Sequence, residues 1–408
     1  MNCRHCGSSL DVTLIDLGSS PPSNAYLSPD TLCKPEKWFP LRVLVCTQCW
    51  LVQTEDFTEA DDLFDENYSY FSGFSESWLK HSERYVESTI KRFDLNHESH
   101  VVEVAANDGY LLQYVKAAGI PCTGVEPTAS TATAARGKGI PIIESFFGCE
   151  LVEKMLEDNL PADLMVANNV LAHVPDINDF VSGFKRLLKP DGVATFEFPQ
   201  LLQLMDKTQF DTIYHEHFSY LSLTSVFNIF NTNGLEIFDV ETLPTHGGSL
   251  RVYAQINGEG KQGVSNVVDR QLQLELEAGI TDPSFYTGFQ SRAEAIKDDL
   301  LSFLLEAKAA NKTVAAYGAA AKGNTLLNFA GIRSDMIQFV VDRNPNKQGK
   351  FLPGSRIPIV SDKRLREFKP DYVILLPWNL MQELTEQLAY VREWGASFVT
   401  PIPKLTIS

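Results

Sequence analysis

Tyr214-His215-Glu216-His217 gathers a phenol, two imidazoles and a carboxylate into one short stretch. Imidazole titrates near neutral pH and can take a proton, and a phenol can hydrogen-bond to a developing oxyanion. The order and spacing do not match His-Glu-x-x-His, so this is not a zinc-protease helix. Alternation along an extended segment places Tyr214 and Glu216 on one side and His215 and His217 on the other. A surface loop with one buried histidine is the plain alternative.

A second constellation is made of soft ligands. Cys3-x-x-Cys6 and Cys46-x-x-Cys49 each put two thiols on one tight knuckle, and two knuckles complete a tetrahedron of sulfur around zinc. No coordination position stays open, so that zinc is structural. Four buried thiols or two disulfides are the alternatives. His5 lies inside the first knuckle and reads as a solvated loop residue. Cys33, Cys122 and Cys149 make the cysteine count odd, which with the paired knuckles suits a reducing cytoplasm.

These groups need elements to hold them, and 408 residues predict two or three domains. The net charge of −17 argues against broad binding to nucleic acid or an anionic membrane. No apolar run is long enough to span a bilayer, and the N-terminus lacks the apolar core of a secretion signal. Prolines 21, 22, 35 and 40 predict loops and short strands over the first 70 residues. Residues 75–92 have helical apolar spacing. From there strands at 100–104, 122–125, 164–167 and 193–198 alternate with helices at 111–118, 129–137 and 177–188. That alternation signals a doubly wound sheet. Lys189-Pro190-Asp191-Gly192 predicts a turn before the strand at 193–198. Helices are expected at 271–279 and 282–311, the latter opened by Asp282-Pro283. A second α/β pattern follows, with strands at 313–317, 337–341 and 372–376 and a helix at 324–330.

Each α/β unit offers a nucleotide-type site. Residues 101–109 run from strand through a turn into a helix, where loop amides and the helix N-terminus converge. Methyltransferase loops carry glycine at the positions of Ala105 and Asn107; here only Gly109 remains, and Asn107 is the tolerable substitute because Asn enters left-handed conformations. Glu126 ends the next strand, where a carboxylate can accept both ribose hydroxyls. With no obvious cation for a pyrophosphate, a zwitterion such as S-adenosylmethionine fits better than a dinucleotide. Glu103, Asn107, Asp108, Gly109, Glu126 and Asn168 are the candidate cofactor residues. The segment Asn168–Asp176 also brings His173 to the carboxyl edge of this sheet.

In the second unit Gly318-Ala319-Ala320-Ala321-Lys322-Gly323-Asn324 follows a strand and opens a helix. Lysine precedes the second glycine, so an ATPase loop is a poor match, and Gly-x-Gly-x-x-Gly is missing. Small residues still let amides approach a phosphate. Asp342-Arg343-Asn344-Pro345-Asn346-Lys347 ends the next strand. Gly318, Lys322, Asn324, Arg343 and His246 are the candidate substrate residues, with Lys322 and Arg343 the expected cations for a diphosphate. A capping domain packed through small residues is the alternative. His246-Gly247-Gly248-Ser249 offers unobstructed amides, or simply a hairpin turn.

The ordered set of motifs resembles one family. The two Cys-x-x-Cys knuckles, Glu-x-x-x-Asn-Asp-Gly at 103–109, Asn-Val-Leu-Ala-His-Val at 169–174, Tyr-His-Glu-His-Phe-Ser-Tyr at 214–220 and His-Gly-Gly-Ser-Leu-Arg-Val at 246–252 occur in the order seen in C-methyltransferases of nucleotide-linked deoxysugar biosynthesis. The resemblance runs nearly end to end. It implies an α/β protein with an N-terminal zinc-binding domain (1–72), a central Rossmann-like methyltransferase domain binding S-adenosylmethionine (73–262), and a helical linker with a C-terminal Rossmann-like α/β domain holding the nucleotide (263–408). It implies a 4-keto-6-deoxysugar substrate methylated at C3, on thymidine diphosphate or guanosine diphosphate. By matching motifs, His217 is the implied base, Tyr214 and Glu216 its pocket partners, and His173 and Tyr68 further sugar-facing groups. An NAD-dependent oxidoreductase, suggested by two Rossmann-like units, and a non-catalytic nucleotide-sugar-binding protein are the competing readings.

Overall fold

The computed structural model describes residues 1–57 and 71–408. The knuckle region forms β1 (Val12–Ser20), β2 (Phe39–Val45) and β3 (Val52–Thr54), an antiparallel meander. Helix α1 (Glu76–Arg92) is capped by Ser75, which accepts from the Trp78 amide. It buries Ser82, Tyr85, Val86 and Thr89, the one-face spacing that its sequence predicts.

The central sheet begins with β4 (Val101–Val104), buried at every position as an internal parallel strand must be. Helix α2 (Leu112–Ala117), β5 (Cys122–Val125), α3 (Ala129–Gly137), β6 (Ile142–Ile143), α4 (Cys149–Glu157), β7 (Ala162–Asn168), α5 (Ile177–Leu187) and β8 (Leu188–Pro199) follow in turn. The Lys189–Gly192 stretch lies within β8 and not before it. It bulges out of register, since Ala162 pairs with Leu188 but Leu164 already pairs with Val193. Helix α6 (Leu201–Asp206) leads to the short strand β9 (Ser219–Tyr220), then α7 (Leu223–Thr232), β10 (Leu235–Leu243) and β11 (Ser249–Ile256). The sheet order is β10-β11-β8-β7-β4-β5-β6, with β11 antiparallel to both neighbours. The chain enters at β4, winds outward through β5 and β6, and returns to β7. The switch point therefore falls between β4 and β7, where a crevice opens at the carboxyl ends.

Strand β9 does not join that sheet. It pairs with β3 and completes the N-terminal sheet in the order β1-β2-β3-β9.

Helix α8 (Asn266–Ala278) ends at left-handed Gly279, and α9 (Phe289–Ala309) starts after left-handed Gly288. Asp282-Pro283 caps only a 3-10 turn, Pro283–Tyr286, so the second helix starts later than its sequence suggests. The second unit comprises β12 (Val314–Tyr317), α10 (Ala321–Phe329), β13 (Val340–Val341), β14 (Ile359–Val360), α11 (Asp362–Phe368), β15 (Tyr372–Leu375), α12 (Met381–Gln387), β16 (Ser397–Thr400) and β17 (Thr406–Ile407). Its order is β14-β13-β12-β15-β16-β17, parallel except at β17, with a switch point between β12 and β15.

Shared cores lock the parts together. Ile15 and Val43 of the N-terminal sheet pack in one cluster with Phe210, Phe289, Val314 and Ile374. Cys3, Cys46 and Leu51 belong to another with Phe180, Phe196 and Phe230 of the central sheet. Burying each such aromatic side chain contributes about 1.5–3 kcal/mol. No helix among the described residues is long and apolar enough to cross a membrane.

Candidate active site

One cavity of about 690 Å³ lies where the three parts meet. Its wall includes Asn24 from the N-terminal module, Asn107, Glu126 and Asn168 from the central sheet, Tyr214, Glu216 and His217 from the segment before β9, and Lys322, Lys347 and Asn379 from the second unit. Both switch points open onto it.

The first switch point is built from strained backbone. Ala105 (φ 58°) and Asn107 (φ 49°) both sit in the left-handed region that glycine would favour. The Asn107 amide donates to Glu126 Oε2 at 2.9 Å, and the Asn107 side chain accepts from the Ser72 amide at 2.9 Å. Glu126 Oε1 accepts from the Thr128 amide at 3.0 Å and Thr131 Oγ1 at 2.9 Å. Its carboxylate is thus tied to the Asn107 loop and to the start of α3, which fixes where its oxygens face the cavity. Burial pushes the Glu126 carboxyl up. Asn168 ends β7 on the cavity wall, and neither atom of its buried carboxamide has a hydrogen-bond partner among the described residues. That orphaned donor–acceptor pair fits a ligand bearing both functions, as the amino-acid and ribose ends of S-adenosylmethionine do.

Three expected cofactor residues do not reach the cavity wall. Glu103 is fully buried beneath the loop, and desolvation holds its carboxyl well above the usual range. Asp108 turns to the Gly73 amide at 3.2 Å and to Lys138 Nζ at 3.2 Å. Gly109 (φ 73°) packs so closely that an added Cβ would collide with Ile140. All three shape the loop from behind.

The Tyr214–His217 stretch is a turn, closed by the His217 amide donating to the Tyr214 carbonyl at 2.9 Å. Strand-like alternation therefore fails. Tyr214, Glu216 and His217 all face the cavity, while His215 turns away to the Phe39 and Pro40 carbonyls at 3.3 and 3.2 Å. The Tyr214 and His217 rings are 4.0 Å apart, and His173 meets His217 edge-on at 4.6 Å. His217 Nδ1 lies 2.7 Å from the Thr212 carbonyl oxygen. A carbonyl only accepts, so Nδ1 carries the proton and Nε2 is left as an acceptor. Burial, with His173 nearby, pushes His217 well below its ordinary value; burial takes His173 and His246 each down to about 4. All three imidazoles are neutral at pH 7. Burial raises Glu216 to about 7, against the Asn24 amide nitrogen that donates to its two oxygens at 2.9 and 2.7 Å.

His246 occupies the turn joining β10 to β11, so the hairpin reading holds for its backbone, yet it lines the cavity. It is left-handed (φ 54°), faces Trp78 at 5.3 Å between ring centroids, and places Nε2 3.3 Å from Asn169 Nδ2. Thr245 next to it donates to buried Glu197 at 2.9 Å.

At the second switch point Lys322 reaches the cavity, with Nζ donating to Asn379 Oδ1 at 2.8 Å and lying 4.9 Å from the Trp378 ring centroid. Trp378 Nε1 donates to Asp211 Oδ2 at 2.7 Å. Burial raises Asp211 to about 6 and lowers Lys322. The other expectations there shift. Arg343 is on the surface facing Asp362 at 3.8 Å, away from the cavity. Asn324 is buried and donates to the Ser23 carbonyl at 2.6 Å, bolting α10 to the N-terminal module. Gly318 (φ 88°) lets Pro377 approach and does not line the wall. Lys347, which the sequence did not single out, lines the wall instead: it ends the same loop as Arg343, lies over the Tyr26 ring at 5.1 Å and donates to the Ala319 carbonyl at 2.8 Å. Asn24, Trp78 and Asn379 were also missed, for they sit in loops and a helix with no motif around them. Tyr68 lies outside the described residues.

Away from the cavity, the Sγ atoms of Cys3, Cys6, Cys46 and Cys49 lie within 4.8 Å of one another. Cys3–Cys49 and Cys6–Cys46 are each 3.5 Å apart, too far for disulfides and close to the about 3.8 Å edge of a zinc–sulfur tetrahedron. The donor set fits a structural zinc ion.

This architecture has close counterparts in sequence. A family model described as the C-methyltransferase C-terminal domain matches residues 244–403, a zinc binding domain model matches residues 3–64, and a methyltransferase domain model matches residues 78–240. C-methyltransferase NovU of Streptomyces niveus is 36% identical over 402 residues, covering 98% of this chain and 95% of that one. The chain belongs to the C-methyltransferase family. It is an S-adenosylmethionine-dependent enzyme with an N-terminal four-cysteine zinc site. Among solved structures, an S-adenosylmethionine-dependent methyltransferase from Clostridium acetobutylicum is 11% identical with a TM-score of 0.37, over 44% of this chain and 92% of that one. Magnesium protoporphyrin IX methyltransferase of Synechocystis with bound donor is 14% identical with a TM-score of 0.33, over 45% and 82%.

Proposed function

We propose that this C-methyltransferase adds a methyl group to C3 of a nucleotide-linked 4-keto-6-deoxysugar through an enolate. The observation that carries the reading is the fixed tautomer of His217: with Nδ1–H held by Thr212, Nε2 is an unprotonated acceptor inside the cavity. Carbon becomes nucleophilic only after losing a proton, and a neighbouring ketone makes that loss accessible. His217 Nε2 takes the C3 proton, the electron pair of the C–H bond becomes the C3–C4 π bond, and the carbonyl π pair moves onto the C4 oxygen. Tyr214, its ring packed against that of His217, donates to that oxygen, with His173 beside it. Glu216, anchored by Asn24, orients the sugar hydroxyls.

S-adenosylmethionine, when bound, supplies an electrophilic sulfonium methyl. Asn168, Glu126 and the Asn107 loop are the groups to hold it. Lys322 and Lys347, on the opposite wall, are the cations for the sugar's diphosphate, with thymidine diphosphate favoured over guanosine diphosphate. In this reading residues 1–72 hold zinc, 73–262 bind the donor, and 263–408 bind the nucleotide. A cytoplasmic location accords with the free thiols.

The test is mass spectrometry of products from a panel of 4-keto-6-deoxy nucleotide sugars, with His217→Asn in parallel. The reading requires a new carbon-bound methyl and, in His217→Asn, loss of both methylation and solvent deuterium exchange at C3 with donor binding kept. A methyl on oxygen, or rapid exchange in the variant, would sink it.

A further inference from the structure

The zinc knuckle is not remote from the histidines. Arg4 lies between ligands Cys3 and Cys6, and its side chain is only 5% exposed. Its NH1 donates to the Pro175 carbonyl at 3.0 Å. Its NH2 donates to the Thr54 carbonyl at 3.2 Å and to Asp56 at 2.8 Å. The guanidinium lies over the Phe218 ring, 5.3 Å from its centroid. Pro175 is two residues beyond His173, and Phe218 directly follows His217. Thr54 in turn donates through its amide to the Phe218 carbonyl at 3.1 Å and through Oγ1 to the His217 carbonyl at 3.3 Å. The Arg4 backbone is itself held, because its amide donates to Gln53 Oε1 at 3.0 Å while Gln53 Nε2 donates to Cys3 Sγ at 3.2 Å.

One planar fork therefore spans the two chain segments that carry His173 and His217. We propose that Arg4 is a positioning residue for methyl transfer, setting the spacing of His173 and His217 from a backbone fixed by the metal. A lysine in its place keeps the charge near Asp56 but has no rigid fork to reach Pro175 and Thr54 together. A second tie makes the control. Asn178 Nδ2 donates to the His5 carbonyl at 2.8 Å and, at 3.4 Å, to the Arg4 carbonyl, and Asn178 Oδ1 lies 2.8 Å from His5 Nδ1, so Asn178→Ala loosens the same knuckle–loop junction while removing none of the guanidinium's own bonds.

The proposal rests on the assignment of His217 as base, and its test is built to separate the two. Full-length Arg4→Lys, Arg4→Ala and Asn178→Ala are compared at equal zinc content, by kcat and KM and by NMR titration of the His217 ring without substrate. His173, His246 and Lys322 face that ring as titratable groups, and Tyr214 and Tyr220 flank it. The Arg4 variants should keep zinc and the donor KM, lose about 10- to 100-fold in kcat, and show His217 titrating closer to its ordinary value as His173 moves off and water enters. Asn178→Ala should show neither change. Any other pattern, including zinc loss in Arg4→Lys or equal effects in Asn178→Ala, overturns the proposal. Methylation surviving in His217→Asn would refute the base assignment instead, and the NMR titration would still decide the role of Arg4.

Discussion

His217 Nδ1 and the Thr212 carbonyl oxygen, 2.7 Å apart, decide which imidazole nitrogen faces the cavity. The bond is made within a single loop, so base and tautomer come as one unit. Its pH consequence follows. A histidine lowered by burial is deprotonated, and so competent as a base, at every pH above its folded value. The acid limb of the kcat/KM profile, which reports the free enzyme, should therefore lie below 6.5. An acid limb at or above 6.5 would show a different group titrating.

Tyr214→Phe keeps the ring that packs against His217 and removes only the hydroxyl. Loss of one donor to a developing oxyanion costs about 10²–10³ in kcat. Donor affinity, measured by calorimetry, should stay within about twofold. A kcat near wild type would take Tyr214 out of the enolate's surroundings.

Asn168 makes the converse case. Its carboxamide is buried without a partner among the described residues, so the free protein gains little from its polar atoms. Asn168→Ala should leave thermal stability unchanged or slightly higher and weaken donor binding about tenfold, or ~1.4 kcal/mol. Lost stability with intact donor affinity would mean that the side chain serves the fold alone.

Asp211 reports on the cation at the other wall. Asp211→Asn can still accept from Trp378 Nε1 but no longer carries charge toward Lys322. Lys322 should then be protonated less readily, and the KM for the nucleotide sugar should rise about tenfold while that for the donor holds. The effect should be larger at high pH, where a lowered lysine loses its proton first. Equal changes in both KM values would argue that Asp211 supports the whole site and not Lys322.

Metal removal tests the division of labour. Zinc supplies folding energy to small modules of this kind. Stripping it with a strong chelator should abolish turnover, because β3 and β9 hold the His217 segment. The central sheet shares one core with the zinc module but has a second, packed against α1 and α2, that contains no residue of it, so donor affinity should fall much less. Donor binding lost in step with zinc would show one cooperative unit.

The central sheet was legible because buried parallel strands and capped amphipathic helices leave strong periodic signals; α1 and α3 fall where their spacing puts them. The four thiols were legible from spacing alone. The second unit was legible as α/β, and Lys322 reaches the cavity that its loop was expected to serve, but Arg343 does not. Arg343 and Lys347 stand in one loop, and which of them turns inward depends on Tyr26 and Ala319, residues remote in sequence. The Tyr214–His217 turn misled for a related reason. Its geometry is set by the Thr212 carbonyl and by pairing of β9 with β3, a long-range contact that local alternation cannot reveal. Glu103 and Gly109 match a motif, yet they act on the loop from within the core.

That same borrowed strand bears on how the enzyme is made. The N-terminal sheet waits for β9, which leaves the ribosome long after β3. Until then β3 presents unpaired amides and carbonyls along one side, an invitation to stray association. A truncated version ending near residue 72 would inherit that bare edge permanently, and engineers wanting the zinc module by itself would have to graft the missing strand back on.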